Sequence, residues 1–207
     1  VTALMNGAKA VIPVADMGEA SKISMNGDSD NYLLCGEKDG EKIEGYDLGN
    51  SPLEYSKDVV KGKTLIFNTT NGTKAIKKTL GSSQVFIASF LNVGTVVKQL
   101  SEVNKEIVLV CAGWKGRLAF EDMLLAGNII HDLCSGSLGD DSRDGAKVAF
   151  SLYDRYGKDI AAVIHKSNHA MRLKEIVGAD DVDYCCQINT TDILPRLHEG
   201  MITLQDG

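Results

Sequence analysis

The sequence predicts an α/β fold, a three-layer α/β/α arrangement with a mixed sheet, because short apolar segments alternate with amphipathic helical segments. The chain has 207 residues, 43% hydrophobic and 24% charged, which is the composition of a globular protein and not of a disordered or fibrous one. A chain of this length buries roughly 70% of the surface that its unfolded form exposes. We therefore expect a single α/β domain over residues 1–207, with a helical flank after Asp144.

Strands are predicted where short apolar runs are bounded by Gly, Asn or other polar residues. The predicted strands cover residues 10–14, 32–35, 63–67, 85–88 and 106–111, with a short strand-like run at 182–187 and tail segments at 193–195 and 201–204.

Helices are predicted where apolar residues recur at helical spacing, most clearly in 120–133. The other predicted helices cover residues 2–9, 18–23, 73–80, 93–103, 146–156, 159–167 and 171–176. Two polar, glycine-containing segments, 36–52 and 135–144, are predicted loops, and the second is expected to be mobile.

Charge and cysteine content exclude several classes of function. The formal net charge of −6 argues against nucleic acid as the main partner, because nucleic-acid binding requires a basic patch. The longest apolar runs are too short to cross a bilayer, so we expect no membrane association. Five cysteines without a C-x-x-C motif are typical of reduced thiols, which favours a cytoplasmic protein.

Three polar clusters each follow a predicted strand: one over 36–47, one over 69–73 and one over 113–122. In open α/β sheets ligands bind at the carboxyl ends of the strands, so we expect these clusters to converge there. The Thr-Thr-Asn-Gly-Thr turn at 69–73 would present hydroxyls and backbone N–H groups to phosphate or sulfonate oxygens. The alternative is structural, because Asn-Gly is a turn signal and Thr73 can cap a helix.

Carboxylates in these clusters resemble the hard oxygen ligands of Mg²⁺, which takes one or two carboxylates together with substrate phosphate and water. The candidates are Glu37, Asp47, Glu121 and Asp122. Solvated loop acids, and acids favoured by a helix dipole, are the structural alternative. The four histidines add little, because none neighbours a Ser or Cys in a nucleophile arrangement, and the Gly-x-Ser-x-Gly, Gly-x-Gly-x-x-Gly and P-loop motifs are absent.

At residues 6–14, 36–52, 61–73, 89–92, 111–113, 121–122 and 183–187 the chain resembles the 2-phosphosulfolactate phosphatase (ComB-like) family. The resemblance implies Mg²⁺-dependent hydrolysis of the phosphate ester of 2-phosphosulfolactate to sulfolactate and phosphate. In methanogens that step belongs to coenzyme M biosynthesis.

The sequence departs from the family pattern at a few points. Lys38 stands where the family usually has Arg, which exchanges a bidentate fork for a point charge, and Asn68 replaces a usual Thr. Trp114-Lys115 is a local variation. The family's opening segment, with an Asp and an Arg expected to contact metal and phosphate, would lie before Val1.

The residues and the resemblance together give a mechanistic hypothesis. Glu37, Asp47, Glu121 and Asp122 are predicted to be catalytic and to hold Mg²⁺, which would bridge phosphate oxygens and orient an attacking water. The predicted substrate-binding residues are Lys38, Lys42, Asn50, Ser51, Thr69, Thr70, Asn71, Gly72, Thr73, Asn92 and Gly113.

The expected partner is a small phosphorylated or sulfonated acid, and a homodimer is compatible with the sequence because small α/β enzymes are commonly dimers. Two alternatives stay open. One is a phosphatase for another small acidic phosphoester, and the other is a non-catalytic anion-binding relative.

Overall fold

The computed structural model describes residues 1–26 and 31–204. The chain forms two compact units, one made of Val1–Ile87 with Ile193–Gly207 and the other of Ala88–Asp192. The first unit contains the β-sheet, and the second is built from helices in its described residues.

The first unit is organised around a six-stranded sheet in the order β3-β2-β4-β1-β6-β5. Its strands are β1 Ala10–Pro13, β2 Tyr32–Lys38, β3 Glu41–Lys42, β4 Thr64–Asn68, β5 Arg196–His198 and β6 Met201–Thr203. Strand β4 pairs in parallel with β1 and β2, whereas the β1–β6, β2–β3 and β5–β6 pairs are antiparallel. The predicted mixed sheet is therefore confirmed.

Side chains of the central strands alternate between two apolar clusters, as a strand period of two requires. On one face Cys35 and Leu65 pack with helices α1 (Thr2–Met5), α3 (Lys57–Val60) and α4 (Gly72–Lys78). On the other face Ile66 and Val14 pack with α2 (Met17–Asn26). Helices thus cover both faces of the sheet, which confirms the three-layer α/β/α arrangement.

The second unit has an apolar core formed by its helices. They are α5 Val93–Ser101, α6 Phe120–Leu133, α7 Asp144–Tyr156, α8 Ile160–Ile164, α9 Asn168–Ile176 and α10 Ala179–Cys185. Leu124 is fully buried there and packs with Ile160, Ile164 and Val182. The helical flank predicted after Asp144 corresponds to α7–α10.

Three predicted strands differ in the structure. Residues 85–88 form only an isolated bridge, between Phe86 and Arg196. The strand-like run 182–187 falls largely within α10. Val182 and Cys186, four residues apart, both lie in the apolar core. Asp180 and Asp181 occupy the first turn of α10, where the helix dipole favours acidic residues.

The third difference is the apolar run 106–111, which forms no strand in the structure. Within the described residues its backbone has no strand partner, and Val108 and Val110 are 73% and 51% exposed. The run has the composition of a strand that is buried on both faces, yet composition does not supply the neighbouring strand that such burial requires.

The two predicted loops are largely confirmed in position. Segment 36–52 contains the short β2–β3 hairpin and is anchored by the buried side chains of Ile43 and Tyr46. Segment 135–144 lies between α6 and α7, although Asp144 already belongs to α7. The mobility of this segment stays a prediction.

In the described part of the chain, no helix combines the length and the apolar character needed to cross a membrane. All five cysteines are free thiols.

Gly127 offers a test of the second unit's packing. A Cβ at this position of α6 would lie 2.1 Å from the carbonyl oxygen of Ala149 in α7, so the two helices approach as closely as glycine alone allows. We expect Gly127→Ala to lower the free energy of unfolding by about 1–3 kcal/mol, because the helices must separate to accept the methyl group. Urea unfolding followed by circular dichroism measures the change.

Gly145→Ala is the matched control, since a Cβ at Gly145 in α7 would meet no atom within 4 Å. That substitution should raise the free energy of unfolding by about 0.4–1 kcal/mol through the lower entropy of the unfolded chain. Equal stability of the two variants would contradict the close approach of α6 and α7.

Candidate functional site

In the first unit Glu37 organises the turn that follows β4. Its Oε1 accepts a hydrogen bond from the backbone N–H of Thr70 at 2.6 Å. Its Oε2 accepts hydrogen bonds from the Thr70 hydroxyl at 3.0 Å and from the N–H of Gly40 at 2.7 Å. The register explains the contact, because Gly36 of β2 pairs with Asn68 of β4 and the two strands end side by side. Both carboxylate oxygens of Glu37 are thus engaged in holding the two loops together.

The Thr-Thr-Asn-Gly-Thr turn uses its own hydroxyl groups. The Thr69 hydroxyl accepts a hydrogen bond from the N–H of Thr73 at 3.1 Å, and the Thr73 hydroxyl donates to the Thr69 carbonyl at 3.0 Å. Thr73 is buried. These bonds shape the entry into α4, so the structural role that the sequence left open is present in this turn.

A cavity of about 280 Å³ lies beside this turn within the first unit. Four predicted substrate-binding residues contribute to its lining: Asn50, Thr69, Gly72 and Thr73. The remaining lining is mainly apolar and includes Tyr55, Phe67 and Ile76. The cavity therefore combines an apolar wall with a few polar groups, the usual character of a small-molecule site.

The other predicted residues of the first unit lie at its surface or in turns. Asp47 is exposed, and its Oδ2 accepts a hydrogen bond from the N–H of Leu34 at 2.8 Å. Lys38 and Lys42 are exposed at the β2–β3 hairpin. The Ser51 hydroxyl accepts from the N–H of Leu53 at 3.3 Å, and Asn71 stands at the N-terminal boundary of α4.

In the second unit Glu121 and Asp122 occupy the first turn of α6. Glu121 Oε1 lies 2.5 Å from Nδ1 of His169, whereas Glu121 Oε2 is buried and has no hydrogen-bond partner among the described residues. Burial opposes ionisation of Glu121, but the hydrogen bonds from His169 and the backbone outweigh it, so its pKa lies below the ordinary 4.5. Glu121 therefore carries a negative charge with one carboxylate oxygen unsatisfied.

Asp122 holds the loop that precedes α6. Its Oδ2 accepts a hydrogen bond from the N–H of Gly113 at 2.7 Å. Burial raises the pKa of Asp122 above 3.8, and the neighbouring charge of Glu121 acts in the same direction. Gly113 has a φ of 70°, and a Cβ there would lie 2.6 Å from the Arg117 carbonyl oxygen, so this close approach requires glycine.

A tight turn places Trp114 against α9. The N–H groups of Trp114 and Arg117 each donate to the other residue's carbonyl at 2.9 Å, and Lys115 and Gly116 between them both have positive φ, as in a type I′ turn. The Trp114 ring stacks on the His169 ring with centroids 5.1 Å apart and planes inclined by 18°. The Arg172 guanidinium carbon lies 5.9 Å from the Trp114 ring centroid.

His169, Trp114 and Arg172 are thus side chains that the sequence analysis did not assign to the site. The predicted helix at 171–176 began too late to include His169, whereas α9 begins at Asn168 after Ser167, whose hydroxyl accepts from the N–H of Ala170. Ser is a preferred N-cap residue. That signal would have placed His169 and Arg172, three residues apart, on one face of a helix.

The four predicted carboxylates are divided between the units, Glu37 and Asp47 in the first and Glu121 and Asp122 in the second. In neither unit do the described residues bring together three or more His, Cys, Asp or Glu side chains able to hold a metal ion. Asn92, predicted to bind substrate, is fully buried, and its Oδ1 accepts hydrogen bonds from the N–H and hydroxyl of Ser89 in a capping box. The catalytic, metal and substrate roles of these residues stay predictions.

Comparison with known proteins shows a match to the family described as 2-phosphosulpholactate phosphatase over residues 1–200. A probable 2-phosphosulfolactate phosphatase of Caldanaerobacter subterraneus is 44% identical over 207 residues, covering 99% of this chain and 85% of the relative. A protein of the same description from Thermotoga petrophila is 40% identical, covering 100% of this chain and 86% of the relative. Another from Clostridium beijerinckii is 36% identical, covering 99% and 86%.

The hydrogen bonds of Glu37 lead to a prediction about its role. We expect Glu37→Ala to lower the free energy of unfolding by about 1–3 kcal/mol in the presence of a chelator, because two backbone N–H groups and one hydroxyl lose their acceptor. Denaturant titration gives the value. Glu41→Ala, at an exposed position of the neighbouring strand β3, is the control and should leave stability within about 0.5 kcal/mol. Unchanged stability of Glu37→Ala without metal, coupled with loss of stabilisation by Mg²⁺, would instead make Glu37 a metal ligand.

Proposed function

This chain belongs to the 2-phosphosulfolactate phosphatase family, and we propose that it hydrolyses the phosphate ester of 2-phosphosulfolactate to sulfolactate and phosphate. The observation that carries the proposal is the family match over residues 1–200, together with 44% identity to a relative of that description over almost the whole chain. We propose that the reaction takes place in the cytoplasm, because free thiols are typical of a reducing compartment. The link to coenzyme M biosynthesis stays a prediction.

Glu121, Asp122 and His169 of the second unit form the part of the structure best suited to phosphate-ester hydrolysis. Hydrolysis of a phosphate ester needs groups that orient the phosphate and the attacking water and that offset the charge on the phosphate oxygens. The second unit presents two adjacent carboxylates, Glu121 and Asp122, with His169 beside the first. A buried carboxylate oxygen without a partner is costly unless a cation or a ligand completes its contacts.

We propose that Mg²⁺ is that cation and that Glu121 and Asp122 hold it. The donor set fits, because Mg²⁺ is usually bound by one or two carboxylates, with substrate phosphate and water filling its remaining positions. The unsatisfied Oε2 of Glu121 is the atom that supports this choice. A cation would also favour the charged form of Asp122, whose pKa is raised mainly by burial and further by the charge of Glu121. When bound, Mg²⁺ would supply charge neutralisation at the phosphate oxygens and polarisation of a bound water.

The surrounding residues then have positioning roles. His169 fixes Glu121 through Oε1, which leaves Oε2 as the oxygen that faces a ligand. The N–H of Gly113 fixes Asp122 through Oδ2. Partners of this kind keep ligating carboxylates in one orientation and thereby raise the affinity for a metal.

For the first unit by itself, we propose that the exposed Lys38 and Lys42 attract anions and that the cavity beside Thr69 and Gly72 binds a small molecule. Glu37 is proposed to act by holding the Thr70 turn in place, since both of its carboxylate oxygens are used for that purpose. Asp47 stays a candidate ligand because the structure shows only its Oδ2 engaged.

The first experiment measures release of phosphate from 2-phosphosulfolactate by the full-length protein, with Mg²⁺ and then with excess chelator. We expect turnover that the chelator abolishes and that added Mg²⁺ restores. Turnover of other small acidic phosphoesters, but not of this one, would retain the phosphatase and overturn the substrate. Binding of sulfolactate without turnover of any phosphoester by the folded protein would favour a non-catalytic relative.

The metal assignment is tested with Glu121→Gln, which keeps the shape of the side chain and removes its charge. We expect kcat/KM to fall at least about 100-fold and the Mg²⁺ concentration for half-maximal activity to rise at least about 10-fold, a range typical for loss of groups around a metal. Asp154→Asn, at an exposed position of α7, is the matched control and should leave both values unchanged. An unchanged Mg²⁺ dependence in Glu121→Gln would place the metal elsewhere.

A further inference from the structure

We infer that Arg172, held by Trp114, binds the sulfonate group of the substrate, an inference that rests on the proposed function. The sulfonate is the group that distinguishes 2-phosphosulfolactate from simpler phosphorylated hydroxy acids. It takes no part in the hydrolysis, so it needs a permanently charged partner that stays in place while the phosphate reacts. An arginine side chain meets that need because it keeps its charge at any pH at which the protein is folded.

The geometry of Trp114 supports this role. Its indole lies on a tight turn closed by two hydrogen bonds, and one ring contacts both His169 and Arg172. A guanidinium within about 6 Å of an indole ring centroid is attracted by the ring's electron-rich face, which favours side-chain orientations that keep this contact. Arg172 is therefore oriented before any ligand arrives, which reduces the entropic cost of binding an anion.

Spacing links Arg172 to the proposed reaction centre. His169 contacts Glu121, and Arg172 follows three residues later in α9, so the two side chains leave the helix on one face about 5–6 Å apart. In the substrate, phosphorus and sulfur are separated by four bonds, which gives a distance of roughly 4–5 Å for bonds of about 1.5 Å. A phosphate at Glu121 and Asp122 would thus leave the sulfonate within reach of Arg172.

Four other basic groups of the second unit differ from Arg172 in their contacts or exposure. Lys174 Nζ donates to the carbonyl of His165, and Arg143 pairs with Glu106 on an exposed surface. Lys115 and Arg117 are exposed on the Trp114 turn, where they add positive potential. Arg172 combines partial burial, a stacked ring and proximity to Glu121 through His169.

The test compares two substrates in two proteins. Wild-type protein and the variant Arg172→Met are assayed with 2-phosphosulfolactate and with 2-phospholactate, which has a hydrogen atom in place of the sulfonate. We expect Arg172→Met to lower kcat/KM for 2-phosphosulfolactate about 10- to 100-fold, mainly through KM, as loss of a charge-assisted hydrogen bond would do. The same variant should change kcat/KM for 2-phospholactate less than about 3-fold.

Three further variants separate recognition from packing. Arg172→Lys keeps the charge without the planar guanidinium, so its kcat/KM for 2-phosphosulfolactate should lie between those of Arg172→Met and wild type. Trp114→Leu should raise KM for the sulfonated substrate. Trp114→Phe keeps an aromatic ring and should raise that KM less. Arg155→Met, on the exposed surface of α7, is the control and should match wild type with both substrates. Thermal unfolding of each variant verifies that it is folded.

Equal losses for both substrates in folded Arg172→Met would overturn the inference, because Arg172 would then act on the phosphate or on the fold. If the wild-type protein hydrolyses neither substrate, the proposed function fails. Calorimetric binding of sulfolactate and of lactate then still tests whether Arg172 binds the sulfonate. Tighter binding of sulfolactate that is lost in Arg172→Met would support the subsite without hydrolysis. Equal binding of sulfolactate by the two proteins would refute it.

Discussion

The parallel pairing of β4 with both β1 and β2 is the constraint on which the first unit depends. Leu65 and Ile66 of β4 are fully buried and point to opposite faces, so the strand needs a partner on each edge and helices on each side. The same pairing brings the ends of β2 and β4 together and allows Glu37 to reach the Thr70 turn. Gly36 makes this approach possible, because a Cβ there would lie 1.9 Å from the carbonyl oxygen of Asn68.

The second unit places charge where burial makes charge costly. Glu121 and Asp122 begin α6, where the helix dipole favours acids, yet both are partly buried and one oxygen of Glu121 has no partner within the described chain. Backbone and imidazole hydrogen bonds hold each carboxylate through one of its oxygens. An arrangement that leaves one buried oxygen unsatisfied costs stability, a cost that the magnesium ion proposed above would reduce.

The proposed substrate carries several negative charges. A protein with a net charge of −6 must offset the repulsion of such a substrate locally, and the structure offers exposed lysines in the first unit and a stacked arginine in the second. In the proposed site a cation would act on the reacting phosphate, whereas Arg172 would bind the sulfonate, which does not react. Catalysis and substrate selectivity would then depend on different groups. Selectivity of this kind depends on charged partners that the wrong substrate leaves unpaired.

Local patterns in the sequence determined most of the elements of this protein. Alternating apolar runs at 10–14, 32–35 and 63–67 predicted the central strands, because a strand buried on both faces requires a continuous apolar run. The resemblance to the family was identified from sequence motifs, of which the longest lie at 36–52 and 61–73. Glu121 and Asp122 could be singled out as candidates because they belong to a polar cluster that follows the apolar run 106–111 and begin an amphipathic helix.

Tertiary structure alone decided which of these groups meet. Apolar residues predicted a strand at both 106–111 and 182–187, yet the first forms no strand and the second lies largely in α10. A strand depends on a neighbouring strand, whereas Val182 and Cys186, four residues apart, both join the apolar core of the second unit. Thr70 and Gly40 both donate hydrogen bonds to the Glu37 carboxylate. Thr70 is 33 residues from Glu37 in sequence, and the register of β2 against β4 brings the two together. Likewise, His169 contacts Glu121, which is 48 residues away in sequence. Local hydrophobic periodicity does not predict such contacts, because they form only when distant segments pack together.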